Sequence, residues 1–154
     1  SIYLSSLPGW SAAGLVSIEK TELSDLESYA VEEFCAPTLD YSMAVAFANK
    51  GAHAMCDISD ALVIQAEQLA QASGVQLVFD SQLFKVSEEF AQLSELAEAT
   101  GADVWQWIFA GGEDHVFLAT GKDLPGLCVG LVKEGSGVIG LEMKKAPDTW
   151  RHFS

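Results

Sequence analysis

The chain is short of positive charge: eight Lys and Arg face 22 Asp and Glu over 154 residues, for a net charge of −14. Nucleic acid and anionic membrane surfaces are bound through clustered Lys and Arg, so neither is expected as a partner. The same shortage means that a phosphate-rich ligand must find neutralising charge in metal ions or in another polypeptide. Cysteine is scarce as well. Cys35, Cys56 and Cys128 are isolated, odd in number and set in apolar surroundings. They make neither a disulfide framework nor a CxxC metal clip, which points to buried thiols in a reducing cytosol. No run of 18 apolar residues occurs, and Ser1-Ile2-Tyr3-Leu4 lacks the basic start of a signal peptide, so a soluble cytoplasmic protein is expected. An initiator Met is missing and the opening is already strand-like, from which we expect a piece of a longer chain. Repeats, low-complexity tracts and linkers are absent too, so residues 1–154 are expected to form a single domain.

What is present reads as a globular α/β protein, with 49% apolar and 19% charged residues. Ile2 to Ser5 is strand-like, and Leu7-Pro8-Gly9-Trp10 makes a turn. Ser11 then offers an N-cap for a helix from Ala12 to Lys20. Gly14 inside that helix costs about 1 kcal/mol relative to Ala, which implies a close neighbour. Helices are also predicted over Ser24–Phe34, ended by Pro37, and over Asp40–Lys50, stopped by Gly51. A strand from His53 to Cys56 precedes a helix from Ala61 to Ala72, which Gly74 closes. Val75–Asp80 alternates as a strand does, and Ser87–Thr100 is a capped helix ending at Gly101. Strands are expected at His115–Thr120, Leu127–Lys133 and Val138–Met143, the last two separated by the turn Gly135-Ser136-Gly137. This order predicts an α/β (α+β) sandwich, a mixed sheet with helices packed on one face.

The most informative stretch is Asp57-Ile58-Ser59-Asp60-Ala61, where an apolar strand gives way to an amphipathic helix. Such a junction points backbone N–H groups and the positive end of a helix dipole at an anion. Two carboxylates three positions apart suit Mg²⁺, which binds through one or two carboxylates and shares its other positions with water and substrate phosphates. Helix capping by Asp57 or Ser59, with Asp60 complementing the dipole, is the plain alternative.

Four separated segments coincide in order: Ser11-Ala12-Ala13-Gly14-Leu15, Cys56-Asp57-Ile58-Ser59-Asp60, Gly111-Gly112-Glu113-Asp114-His115 and Trp150-Arg151-His152-Phe153. Together they resemble the C-terminal domain of the thiamine-monophosphate kinase family, whose patterns read SAAGL, DISDG, GGEDYEL and an aromatic-x-HF tail. That family belongs with aminoimidazole ribonucleotide synthetase, selenophosphate synthetase and a hydrogenase maturation protein in one two-domain superfamily. The likeness covers nearly the whole chain. It implies an N-terminal metal- and ATP-binding domain absent here, Mg²⁺ as cofactor, Mg-ATP and thiamine monophosphate as ligands, and a homodimer at full length.

Residue by residue, the resemblance implies that Asp57 and Asp60 hold metal, that Ser59 contacts ATP, and that Glu113 contacts the thiamine phosphate through its aminopyrimidine. Trp150 would stack on the substrate, where a ring beside a cationic thiazolium gains about 0.5–2 kcal/mol. Because a phosphate acceptor is already an anion, no catalytic base is named. For Glu113 the alternative is an ordinary Gly-Gly turn, and for Trp150 a surface or domain-packing tryptophan. Trp105 and Trp107 read as core or interface, not ligand, His53, His115 and His152 as structural, and Glu22, Asp25, Glu27, Glu88 and Glu89 as solvated helix starts. The sequence departs from the family at Ala61, where the pattern has Gly, and at Phe34–Asp40, where a basic segment is replaced. It departs again at His115 and Val116, where the pattern has Tyr and Glu. Two rivals remain: another ATP-dependent enzyme of the superfamily, of the hydrogenase maturation or selenophosphate type, and a degenerate, non-catalytic packing or dimerisation domain.

Overall fold

A computed structural model of the chain describes residues 1–141. The elements run β1 (Ile2–Leu4), α1 (Trp10–Ser17), α2 (Asp25–Cys35), α3 (Tyr41–Asn49), β2 (Ala54–Ile58), α4 (Leu62–Ser73), β3 (Gln76–Phe79), α5 (Ser81–Phe84), α6 (Glu88–Thr100), α7 (Val104–Ala110), β4 (Val116–Thr120), β5 (Leu127–Lys133) and β6 (Gly137–Ile139). The six strands form one mixed sheet in the order β2-β4-β1-β5-β3-β6. Every neighbouring pair is antiparallel except β3 and β6, which run parallel.

The main core lies on one sheet face. There Ile2, Leu4, Ile58, Leu77, Leu118 and Val129 meet Leu62 and Ala66 of α4, Leu93 of α6, and Trp107 and Ile108 of α7. Each fully buried Leu, Ile or Phe in such a layer contributes about 1.5–3 kcal/mol. Alternation along the strands sends Tyr3 and Ala119 to the other face, where Phe47 of α3 and Leu124 cover them in a second, smaller cluster. The predicted one-sided helical layer is therefore the larger part of the architecture, and α3 adds a patch on the reverse side.

Local chemistry explains most element boundaries. Ser24 caps α2 in a reciprocal capping box with Glu27, Asp40 caps α3 and Ser87 caps α6. Gly74 and Gly101 end α4 and α6 in left-handed conformation, at φ 63° and 69°. Gly14 has the close neighbour its position implied: a Cβ there would collide with the Ala30 carbonyl of α2, so glycine lets α1 and α2 touch. The short helices α5 and α7 were not expected.

Two strand and helix expectations are corrected. α1 begins at Trp10 with Gly9 as its N-cap residue, so Ser11 lies inside the helix and caps nothing. β2 continues through Asp57 and Ile58, because Asp57 pairs with Phe117 and Ile58 with Val116. Beyond the predicted turn at residues 135–137, both edges of β5 are already taken by β1 and β3, so β6 adds to the free edge of β3. The predicted end of the last strand, at Met143, lies outside the described residues.

Candidate functional site

Asp57 shares the reverse sheet face with its cross-strand partner Phe117, while its neighbours Cys56 and Ile58 turn toward the main core. Its side chain is 54% exposed. Beyond Ile58 the backbone bends at Ser59 and Asp60, and Ala61 is the N-cap residue of α4 with no side-chain cap bond. Neither Asp57 nor Ser59 therefore caps the helix, and the plain alternative for them falls away. The Ala61 N–H is instead satisfied by Oε1 of Gln65 at 3.0 Å, and the Nε2 of the same Gln65 lies 3.5 Å from Asp60 Oδ2. Ala61 has φ −174°, extended backbone that any residue adopts, so the departure from Gly carries no conformational penalty here.

The facing wall comes from the segment between α7 and β4. The Glu113 N–H donates to the Ser59 carbonyl at 2.7 Å, and the His115 N–H to the Ile58 carbonyl at 2.9 Å. A Cβ on Gly112 would run into the Asp60 and Ser59 carbonyls, so glycine is what allows this approach. Glu113 and His115 both have positive φ, 66° and 54°, values uncommon for non-glycine residues, and here both N–H groups are bonded to the Ser59 and Ile58 carbonyls.

Between them Asp114 points inward and is 6% exposed. Its Oδ2 accepts from the Gly9 N–H at 2.9 Å and its Oδ1 from the Ser11 N–H at 3.0 Å. The Ser11 hydroxyl donates to the Glu113 carbonyl at 3.3 Å. Burial pushes the Asp114 carboxyl up to about 6, against the downward pull of the N–H groups it accepts from. Beneath the same turn, Glu89 accepts from the Leu7 N–H at 3.0 Å, and burial raises its carboxyl above the usual range.

Asp57, Ser59, Asp60 and Glu113 thus come from separated segments to one end of the sheet, and the Ser11 segment braces them from below. Trp150 lies outside the described residues. Among the described residues, no group of three or more His, Cys, Asp and Glu could by itself hold a metal ion. The carboxylates of Asp57 and Asp60 still fit Mg²⁺ by donor chemistry, since that ion takes one or two carboxylates and completes its shell with water and phosphate oxygens.

Several quieter expectations change. Glu89, in the first turn of α6, is half-buried and bonded to the Leu7 N–H instead of solvated, and Glu27 is buried, tied to Ser24 and paired with Lys20. The thiols are free, yet Cys35 is exposed and Cys56 and Cys128 are half-buried. Burial, then the Asp57 charge, pushes the Cys56 thiol up to about 11, so it stays protonated and inert. Trp107 is in the core, as expected. His115 is not a strand residue packed for structure: its Nδ1 lies 3.5 Å from Asp57 Oδ2 and its Nε2 4.0 Å from Glu113 Oε2. Sequence reasoning passed over His115 and Asp114. The one available signal was the acidic pair after Gly111-Gly112.

No helix among the described residues is long and apolar enough to cross a membrane. Comparison with known proteins gives a consistent result. The thiamine-monophosphate kinase of Aquifex aeolicus is 34% identical over 163 aligned residues, covering 99% of this chain and 51% of that protein. The enzyme of the same name from Corynebacterium glutamicum is 37% identical over 115 residues, 73% of this chain and 34% of that one. A solved structure described as AaThiL complexed with AMPPCP and TMP superposes with a TM-score of 0.82 at 32% identity, over 99% of this chain and 51% of that one. The chain therefore spans about a third to a half of the length of these relatives. The profile of one family matches residues 1–146, nearly the entire sequence. With that match, and a mixed sheet flanked by helices to go with it, the chain belongs to the family of AIR synthase related protein, C-terminal domain.

Proposed function

We propose that this chain is the substrate-side, C-terminal part of a thiamine-monophosphate kinase, which transfers the γ-phosphate of ATP to thiamine monophosphate and yields thiamine diphosphate. The observation that carries the reading is the convergence of Asp57, Ser59 and Asp60 with Glu113 across hydrogen-bonded backbones. It occurs in a chain 34% identical to a thiamine-monophosphate kinase over almost its whole length. A relative complexed with AMPPCP and TMP supports the choice of both substrates.

In this reading Asp57 and Asp60 hold Mg²⁺, Ser59 contacts the nucleotide and Glu113 accepts from the aminopyrimidine. Trp150 stacks on the heterocycle. Held by Asp57 and Asp60, Mg²⁺ would supply the positive charge that offsets the phosphates, which a chain of net charge −14 is short of. The protein's contribution is positioning: Asp57 on a strand, and Glu113 on a backbone fixed from two sides, present their carboxylates in a set geometry. The acceptor phosphate is already anionic, so no side chain needs to remove a proton. Asp57 and Glu113 are 54% and 73% exposed, which suits one wall of a cleft whose other wall is the missing N-terminal domain. The full-length protein is proposed to be a cytoplasmic homodimer.

Titration calorimetry of the full-length protein with thiamine monophosphate and Mg-ATP, together with a turnover assay, tests the reading. Binding of both ligands with formation of thiamine diphosphate is expected. A full-length protein that binds neither is a degenerate packing domain, and one that binds Mg-ATP but phosphorylates a different acceptor belongs to another branch of the superfamily.

A further inference from the structure

His115 stands where two exposed carboxylates of different duty meet. Its Nδ1 faces Asp57 Oδ2 at 3.5 Å, and its Nε2, on the other edge of the ring, faces Glu113 Oε2 at 4.0 Å. The ring is less exposed than either acid, at 31% against 54% and 73%. Its backbone is immobilised more firmly than exposed segments usually are. The residue sits at φ 54°, its N–H is bonded to Ile58, and the preceding Asp114 is anchored on Gly9 and Ser11. Asp57 is a strand residue paired with Phe117, so its Cα is equally fixed. The side chains of Asp57 and Glu113 are short of such constraints, and two like charges left alone would turn apart. A ring on a held backbone, with one nitrogen toward each, stands between them, and the outer partners of metal-binding carboxylates are what orient such ligands.

We infer that His115 is a positioning residue that orients Asp57 toward the metal and Glu113 toward the thiamine moiety, and so sets the distance between the phosphate end and the heterocycle end of the acceptor. The inference deepens the proposed kinase reading and rests on it. It concerns a position where this sequence has an imidazole and the family pattern has Tyr, so the two contacts are a property of this chain's own residues.

The two edges of the ring can be tested separately. In the full-length protein His115→Ala removes both contacts. The amide nitrogen of Asn falls near Nδ1 and that of Gln near Nε2, so His115→Asn retains the Asp57 side and His115→Gln the Glu113 side. We expect His115→Ala to raise the apparent Mg²⁺ constant and the KM for thiamine monophosphate by about tenfold each, with a smaller change in kcat. His115→Asn should restore only the Mg²⁺ constant, and His115→Gln only the KM. Mn²⁺ binding followed by electron paramagnetic resonance without substrate should weaken in the Ala and Gln variants and stay near the parent value in the Asn variant. Thermal unfolding midpoints identify any variant that misfolds. Parent protein that turns over, with both constants and Mn²⁺ affinity within about twofold in His115→Ala, overturns the inference and leaves the kinase reading standing. Asn and Gln variants that fold yet restore neither constant also overturn it. If the parent shows no turnover, the kinase reading fails, and the Mn²⁺ series alone decides whether His115 orients Asp57.

Discussion

Two layers of carboxylates occupy the same end of the sheet and do opposite work. In the inner layer, Asp114 and Glu89 spend their oxygens on backbone N–H groups of Gly9, Ser11 and Leu7, and burial raises both carboxyls. In the outer layer, Asp57 and Glu113 are more than half exposed, at 54% and 73%, with the His115 imidazole close to both. The contrast is sharpest between neighbours. Glu113 and Asp114 are adjacent in the chain, yet one fastens α1 to β4 and the other faces solvent. A buried carboxylate must be satisfied within the protein, whereas an exposed one at an over-determined backbone remains available to a ligand. The inner layer thus fastens the backbone that presents Glu113, while β2–β4 pairing fastens that of Asp57.

Substitutions can break this contrast. The largest effect should come from Asp57→Asn in the full-length protein, which keeps the shape and removes the charge: turnover is expected to fall about a hundredfold or more, with unfolding free energy almost unchanged. Asp114→Ala should do the reverse at the level of the fold, leaving buried Gly9 and Ser11 N–H groups without an acceptor and costing about 1–3 kcal/mol per group by denaturant unfolding. Gly112→Ala pushes a methyl into the Asp60 and Ser59 carbonyls, so it should cost about 1–3 kcal/mol and lower activity as well, since it separates the two walls of the outer layer. Ala61→Gly should be the mildest. At φ −174° it gains no needed freedom, and turnover should stay within about twofold of the parent.

The inner layer also carries a pH signature. The Asp114 carboxyl lies at about 6 in the folded chain, above its unfolded value of about 3.9. Between these values the folded state binds more protons than the unfolded one, so this residue's contribution to stability is complete below pH ~4 and is lost as pH rises through ~6. Denaturant unfolding of the parent and of Asp114→Asn across that window should show the parent falling relative to the variant as pH rises.

The sequence showed the outer layer better than the inner one. Asp57, Ser59, Asp60 and Glu113 sit in short ordered motifs whose spacing is visible along the chain, and capping residues such as Ser24, Asp40 and Ser87 mark helix starts through local bonds alone. The fold class followed from the alternation of elements. What stayed hidden depends on distant partners. Asp114 reaches Gly9 and Ser11 across more than a hundred residues, as the separations of 105 and 103 show. Ser11 looked like a cap because its neighbourhood suits one, and the tertiary bond to Asp114 gave it another use. The placement of β6 beside β3 depends on both edges of β5 being filled, which no local signal announces. The helices α5 and α7, of four and seven residues, are too short to display a period.

The most direct trial of this account places Asp57→Asn and Asp114→Asn side by side in the full-length protein and measures turnover and unfolding free energy for each. The account predicts a crossed result: Asp57→Asn loses turnover and keeps its stability, while Asp114→Asn changes stability and its pH dependence, with activity reduced only as far as the fold is loosened. Parallel losses in both quantities for both variants would contradict it, because the two layers would then be one structural network with no carboxylate held in reserve for a ligand.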